Sequence, residues 1–332
     1  MKSVLKKVDL WSCIKLMLAL GLIALLLTRL KAQDLLRMFN QMNITCLPLS
    51  VFLFVVILWM LARRSWFLLR YVIPFGTMVK IVTLQTGLTN LVSTLVGTAS
   101  YLAALKLDHH VQLRQSVAAI LLARLGDLIV LLPVITITSA LVWEHIVILR
   151  PLVSFLSLCL ALLCLFAILL LLKTPRVAQL LQSFLRALGV EQTKIGLSVM
   201  NALDELAKME PRELRHDFLL LLKYSASILV LSLLMAWINF QLFGLSASIA
   251  AIFFVNVLSI LFSYVPIQIL GGLGVYEVTA VFLFGLFGVN EAESVPIVLT
   301  LRLYFYLLNG LVLLYPVADA LRPKRIGTDL PS

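Results

Sequence analysis

Long apolar runs, separated by short and mostly basic connectors, occupy nearly the whole chain. The stretches 10–28, 47–62, 116–143, 146–172, 218–240 and 295–315 are dominated by Leu, Ile, Val, Ala and Phe. A bilayer core takes about 20 such residues to cross as a helix, so the pattern predicts about six full spans. Two regions depart from it. Residues 71–105 are long enough to enter a membrane, yet Lys80, Gln85, Thr89, Asn90, Ser93 and Ser100 run through them, with glycines at Gly76, Gly87 and Gly97. Broken polar backbone at membrane depth is tolerated only inside protein or beside a wet cavity, which predicts a re-entrant hairpin or a discontinuous helix. Residues 248–269 are apolar but interrupted by Asn256, Pro266 and Gln268, and Gly271, Gly272 and Gly274 follow. The apolar run 275–287 after that break is too short to cross alone at about 1.5 Å per residue. A second re-entrant pair is expected there.

Composition agrees with an all-α, polytopic integral membrane protein. The 332 residues are 62% hydrophobic and 13% charged, against about 25% charged in soluble domains. The net charge of +11 would suggest nucleic acid in a soluble protein. Here the basic residues lie mostly between spans, where the positive-inside bias and anionic lipid account for them. Lys2, Lys6 and Lys7 precede the first span, Arg63, Arg64 and Arg70 close the second, and Arg322, Lys324 and Arg325 follow the last. These place both termini in the cytoplasm. The first apolar run is followed by Thr28 and Arg29 with no small-residue cleavage pattern, so it is expected to be retained as a span. The longest polar stretch, 173–217, carries an apolar face at Leu181, Phe184, Leu185 and Leu188 and is expected to lie on the inner membrane surface. Cys13, Cys46, Cys159 and Cys164 have no redox or metal spacing, and His109, His110, His145 and His216 read as loop or interface residues. No metal, cofactor or nucleotide site is expected.

Charges inside apolar runs cost about 2.5–3.5 kcal/mol each at a helix centre on insertion scales, so Arg124, Asp127, Glu277 and Arg302 need a reason to be there. Arg124 and Asp127 stand three apart and share one helix face. One reading is a self-neutralising buried pair. The other has Arg124 binding a lipid phosphate, whose oxygens match a guanidinium fork. Glu277 and Arg302 carry the same two readings. The glycine cluster marks a tight break and close helix approach, or helix ends that offer N–H groups to an anion. Asn90 either lines a polar path or satisfies a neighbouring polar group.

The segment SVAAILLARL from Ser116 to Leu125 and the segment SVPIVLTLRL from Ser294 to Leu303 align without a gap, Arg124 falling opposite Arg302. Each follows a broken membrane segment. Loop charge gives the two long helices opposite directions, so the chain reads as one transmembrane domain over 1–332 with inverted repeat units at 71–143 and 248–316. One arginine would then serve each leaflet, a common plan for transporters.

At these positions the chain resembles the transmembrane-region family of lysylphosphatidylglycerol synthases, also called flippase-like domain proteins. The shared features are Pro266, then Gly271, Gly272, Leu273 and Gly274 with Glu277, then Gly288 and Val289, and Arg302 in the following helix. Arg124 and Asp127 match the last part of a Glu-Arg-x-x-Asp pattern, with Ala123 in place of the glutamate, and Asn90 and Gly97 match the first re-entrant segment, whose charged part is replaced at 98–101. The resemblance covers nearly the whole chain. It implies a protein of the bacterial cytoplasmic (inner) membrane that moves a phospholipid or polyprenyl-linked lipid across the bilayer, Arg124 and Arg302 meeting the phosphate. With no soluble transferase domain within these residues, no enzymatic activity is expected. Any coupling would come from a gradient. Two other readings stand beside this one: an integral-membrane transferase acting on a lipid carrier, and an accessory subunit of a lipid or polysaccharide synthase. The chain could act with a synthase partner or as a homo-oligomer; nucleic acid is not an expected partner.

Overall fold

The computed structural model describes residues 42–172, 211–245, 247–263 and 275–320, with the isolated positions 40 and 183. The expected first span, most of the surface segment 173–217, and Pro266, Gly271, Gly272 and Gly274 lie outside the described residues. Nine α-helices account for nearly all the rest: α1 Leu47–Leu68, α2 Phe75–Leu91, α3 Thr94–Ala103, α4 Leu113–Leu141, α5 Arg150–Leu172, α6 Pro211–Leu242, α7 Ile249–Ser263, α8 Val275–Leu286 and α9 Glu291–Ala320. No strand occurs among the described residues. Five helical stretches are long and apolar enough to cross a membrane: Ile44–Leu68, Leu113–Leu141, Val147–Leu165, His216–Leu242 and Glu291–Pro316. These are the five expected spans that fall in the described part of the chain.

The polar stretch 71–105 forms a helical hairpin. Its arms have 17 and 10 residues, about 25 and 15 Å of helix, so neither crosses a core of about 30 Å. Ser93 makes the turn: its backbone is extended and its hydroxyl accepts from Val96 N at 3.2 Å, capping α3. Gly97 allows the arms to close. A Cβ there would lie 2.0 Å from Thr89 Oγ1 and 2.6 Å from the Gln85 carbonyl oxygen. The second short pair is α7 and α8, with 15 and 12 residues, and these two helices also pack together.

α1 and α6 run antiparallel through the bundle. Ser50 at the start of α1 donates to Asn239 near the end of α6, and Arg70 just past α1 pairs with Asp217 near the start of α6 at 3.1 Å. One arm of each short pair packs on a distant long helix: α2 on α9, and α7 on α4. α9 is the most enclosed span, with 39% of its apolar window buried against 17–22% in the other four. Leu152, Phe155, Leu158, Leu162 and Leu165 of α5 are exposed, an apolar face of the kind that lipid covers. The interior is apolar, with Phe254, Phe284, Leu131, Ile135 and Ile297 almost fully enclosed.

Candidate functional site

Two buried ion pairs stand out from that apolar interior. The first joins three helices. Arg64, one turn before the end of α1, donates through Nη1 to Asp127 Oδ1 of α4 and to Ser225 Oγ of α6 at 2.9 Å. The Arg64 side chain is 7% exposed and that of Asp127 20%. Gly126 makes the convergence of α4 and α6 feasible, because a Cβ on it would already be 3.0 Å from both Leu221 and Ser225. Tyr101 of α3, itself 2% exposed, lies beside Ser65 and Arg64.

This changes the sequence reading in two ways. The partner of Asp127 is Arg64 of α1, not Arg124 on its own helix. Arg124 is half-buried on α4, within the same stretch of the helix. Arg64 had read as part of a basic cluster closing the span, and it is instead a buried member of the site. Sequence separates the facings of the two adjacent arginines but does not say which of them is buried. Adjacent residues on a helix point about 100° apart, so Arg63 and Arg64 cannot both face the same interface. Arg63 takes that position, with its guanidinium 5.2 Å from the Trp66 ring centroid and 5.5 Å from that of Phe75.

The second pair joins α8 to α9. Arg302 Nε lies 3.2 Å from Glu277 Oε1, the side chains being 10% and 1% exposed. Aromatic rings surround the guanidinium. Its carbon is 4.8 Å from the Tyr306 centroid, 5.4 Å from Tyr276 and 5.7 Å from Phe305. All are within the range in which ring quadrupoles attract a cation. The predicted meeting of Glu277 and Arg302 across their hairpin is therefore what the fold contains.

Asn90 is also placed at an interface between elements. Its Nδ2 donates to Asn309 Oδ1 of α9 at 2.9 Å, and Asn309 Nδ2 donates to the Phe305 carbonyl at 2.8 Å. Among the described residues, no group of His, Cys, Asp and Glu is placed to hold a metal ion.

The two ion pairs sit at different levels of the bundle. Tyr304, two residues beyond Arg302, donates to Ser50 Oγ at 3.0 Å. Ser50 and Arg64 belong to the same helix, and the interval between them corresponds to about 21 Å of rise. The Asn90–Asn309 bond falls between. α2 starts beside the end of α1, where Phe75 meets Trp66, and Gly87 abuts Leu313 of α9. Moving along α9 from Arg302 to Asn309 and Leu313 thus moves toward the Arg64 level. A buried arginine–carboxylate pair near each end, with a polar step between them, is the geometry.

Helices of spanning length, two short helical pairs and buried charges held at two depths define a polytopic α-helical integral membrane protein. The chain belongs to the family described as the lysylphosphatidylglycerol synthase TM region, whose model matches residues 12–312. No curated protein and no solved structure gives a significant match. The family ties the chain to lipid modification or lipid transport in a membrane.

Proposed function

We propose that this protein moves a phosphate-bearing lipid, either a phospholipid or a lipid-linked head group, between the leaflets and leaves it chemically unchanged. The observation that carries the reading is the two arginine–carboxylate pairs held at different levels of the bundle, Arg64 with Asp127 and Arg302 with Glu277. Ion pairs in apolar protein are weak devices for stability, since desolvation offsets most of the attraction. Intramembrane charges more often line a substrate path. Arg302 would hold the phosphate at one level and Arg124, on the α4 stretch that carries Asp127, at the other. Glu277 would read a cationic head group or carry a coupling proton.

The exchange of partners between the two units supports an inverted repeat. α2 rests on α9 and α7 on α4, and the aligned serines Ser116 and Ser294 are both 0% exposed. A rigid rocking of one unit on the other would then open the two arginine levels in turn. Connector charge supports a bacterial inner-membrane location with both termini in the cytoplasm.

The test is a reconstituted scramblase assay. Vesicles containing fluorescent phosphatidylglycerol and the purified protein are treated with a membrane-impermeant quencher. Outer-leaflet lipid is quenched at once, and further loss reports transport. Loss beyond the protein-free baseline, reduced in Arg124→Ala and Arg302→Ala, is expected. Unchanged transport in both variants would remove their assigned role. Chemical conversion of the lipid would favour a transferase.

A further inference from the structure

We infer that Arg64 is itself a phosphate-binding residue, taking the phosphodiester of a lipid on the guanidinium edge that Asp127 leaves open. The inference rests on the transport reading for its ligand class but on separate observations for its site. Guanidinium is planar, with five N–H donors in a fixed fork. In Arg64 one corner does all the bonding: Nη1 serves both Asp127 and Ser225. Nε is buried and has no acceptor among the described residues, and the hydrogen bonds of Arg64 do not include Nη2. Nε–H and one N–H of Nη2 lie on the same edge and point in parallel, the pair that engages two oxygens of one phosphate.

A buried N–H without an acceptor is costly, about 1–3 kcal/mol and more for a charged group. A residue needed only to neutralise Asp127 could do so at lower cost: lysine supplies the charge with three N–H donors against the five of arginine. The surroundings also suit an anion. Arg124 sits one turn from Asp127 on the same side of α4, and the hydroxyl-bearing residues Tyr101 and Ser65 lie beside Arg64. Nε is enclosed in this conformation, so a lipid engages the full edge when α1, α4 and α6 part. Nothing in the sequence motifs singled out this arginine.

The experiment is equilibrium binding to the full-length protein in maltoside, with radiolabelled dihexanoyl phosphatidylglycerol as probe. Dihexanoylglycerol, which lacks phosphate, and inorganic phosphate serve as competitors. Arg64→Lys keeps a cation opposite Asp127 and removes the edge. It is expected to weaken binding by about tenfold or more while leaving helicity and melting close to wild type. Asp127→Asn removes the competing carboxylate and should leave binding unchanged or tighter. A merely structural role for the pair would weaken binding in both. Equal affinity in wild type and Arg64→Lys, or no binding by the wild type, would overturn the inference. Displacement by inorganic phosphate as effective as by unlabelled lipid would overturn the lipid assignment. Transport is scored separately in vesicles. Arg64-dependent binding without wild-type transport would keep this site and remove the transport reading. Transport with Arg64-independent binding would do the reverse.

Discussion

Asn90 donates to Asn309 at 2.9 Å, tying the first re-entrant hairpin to the last long helix. The bond sits where Gly87 lets α2 approach α9 so closely that an added Cβ would be 2.5 Å from Leu313 Cγ. Under the proposed inverted repeat it joins the two units that would move against each other in a rocking mechanism, between the two arginine levels. An amide pair suits that place. It can be broken and remade without stranding a charge in an apolar medium, which a salt bridge cannot do.

Replacing Asn90 or Asn309 with Leu should therefore cost little stability and change transport more. Interhelical hydrogen bonds in membranes average about 0.6 kcal/mol and reach about 1.7 kcal/mol. Each single variant should fall in that range by unfolding in a denaturing detergent. The double variant should cost less than the sum, because each single change leaves the other amide unpaired. Strict additivity would show that the bond does not join the two units in the membrane.

The hairpin itself depends on Gly97. Its absent Cβ is what keeps Thr89 and Gln85 from being pushed away, and the atoms in the way include backbone. Gly97→Ala should cost about 1–3 kcal/mol as an overpacked contact. Gly76→Ala, at a helical position with nothing within 4 Å, should be neutral or stabilise by up to about 1 kcal/mol. Thermal unfolding in detergent compares the two directly. Equal melting temperatures would mean that the arms separate in the membrane.

The spans and the short pairs were legible in the sequence because both follow from one physical rule, that backbone and side-chain polarity must be hidden at membrane depth. Polar residues through 71–105 and the brevity of 275–287 reported the hairpin and the short α8 before any contact was known. The meeting of Glu277 with Arg302 was also legible, since both sit in apolar runs joined by one connection. The partner of Asp127 was not. Spacing on α4 offered Arg124, three positions away, while the fold offers Arg64 from a helix 63 positions distant. A local pattern cannot rank a same-face neighbour against an arginine that packing delivers from elsewhere. Arg64 was hidden further by standing in a basic cluster, where loop charge explains every arginine equally well.

Arg63 and Arg64 make that distinction measurable. Arg63 is half-buried and stacks on Trp59, Trp66 and Phe75, a contact worth about 0.5–1 kcal/mol at an exposed site. Arg64 is 6% exposed, and its removal leaves the partly buried Asp127 carboxylate, 20% exposed, without a partner; the cost falls below that of a fully buried pair, about 3–5 kcal/mol. Arg63→Ala should lower the unfolding free energy by about 1 kcal/mol or less, and Arg64→Ala by more than that. Denaturation in mixed micelles measures both. Similar losses would mean that the two residues share one environment, against the helical geometry that separates them.

The Glu277–Arg302 pair offers the sharpest separation of stability from function. Glu277 is 1% exposed, so Arg302→Ala leaves a carboxylate stranded in an apolar interior and should destabilise by about 3–5 kcal/mol. Glu277→Gln keeps a polar oxygen beside Arg302 but leaves the enclosed guanidinium without its counter-charge, so it should destabilise as well. Replacing both, Glu277→Leu with Arg302→Met, removes the desolvation cost of the whole pair. That double variant should recover most of the stability lost in Arg302→Ala, and buried pairs replaced in this way can gain about 1–4 kcal/mol over the original. If the pair exists to hold the helices together, transport should return with stability. If it exists to meet a lipid phosphate, the double variant should be stable and inactive. Detergent melting read alongside the vesicle assay distinguishes these outcomes. A stable, fully active double variant would show that Arg302 has no part in binding the lipid.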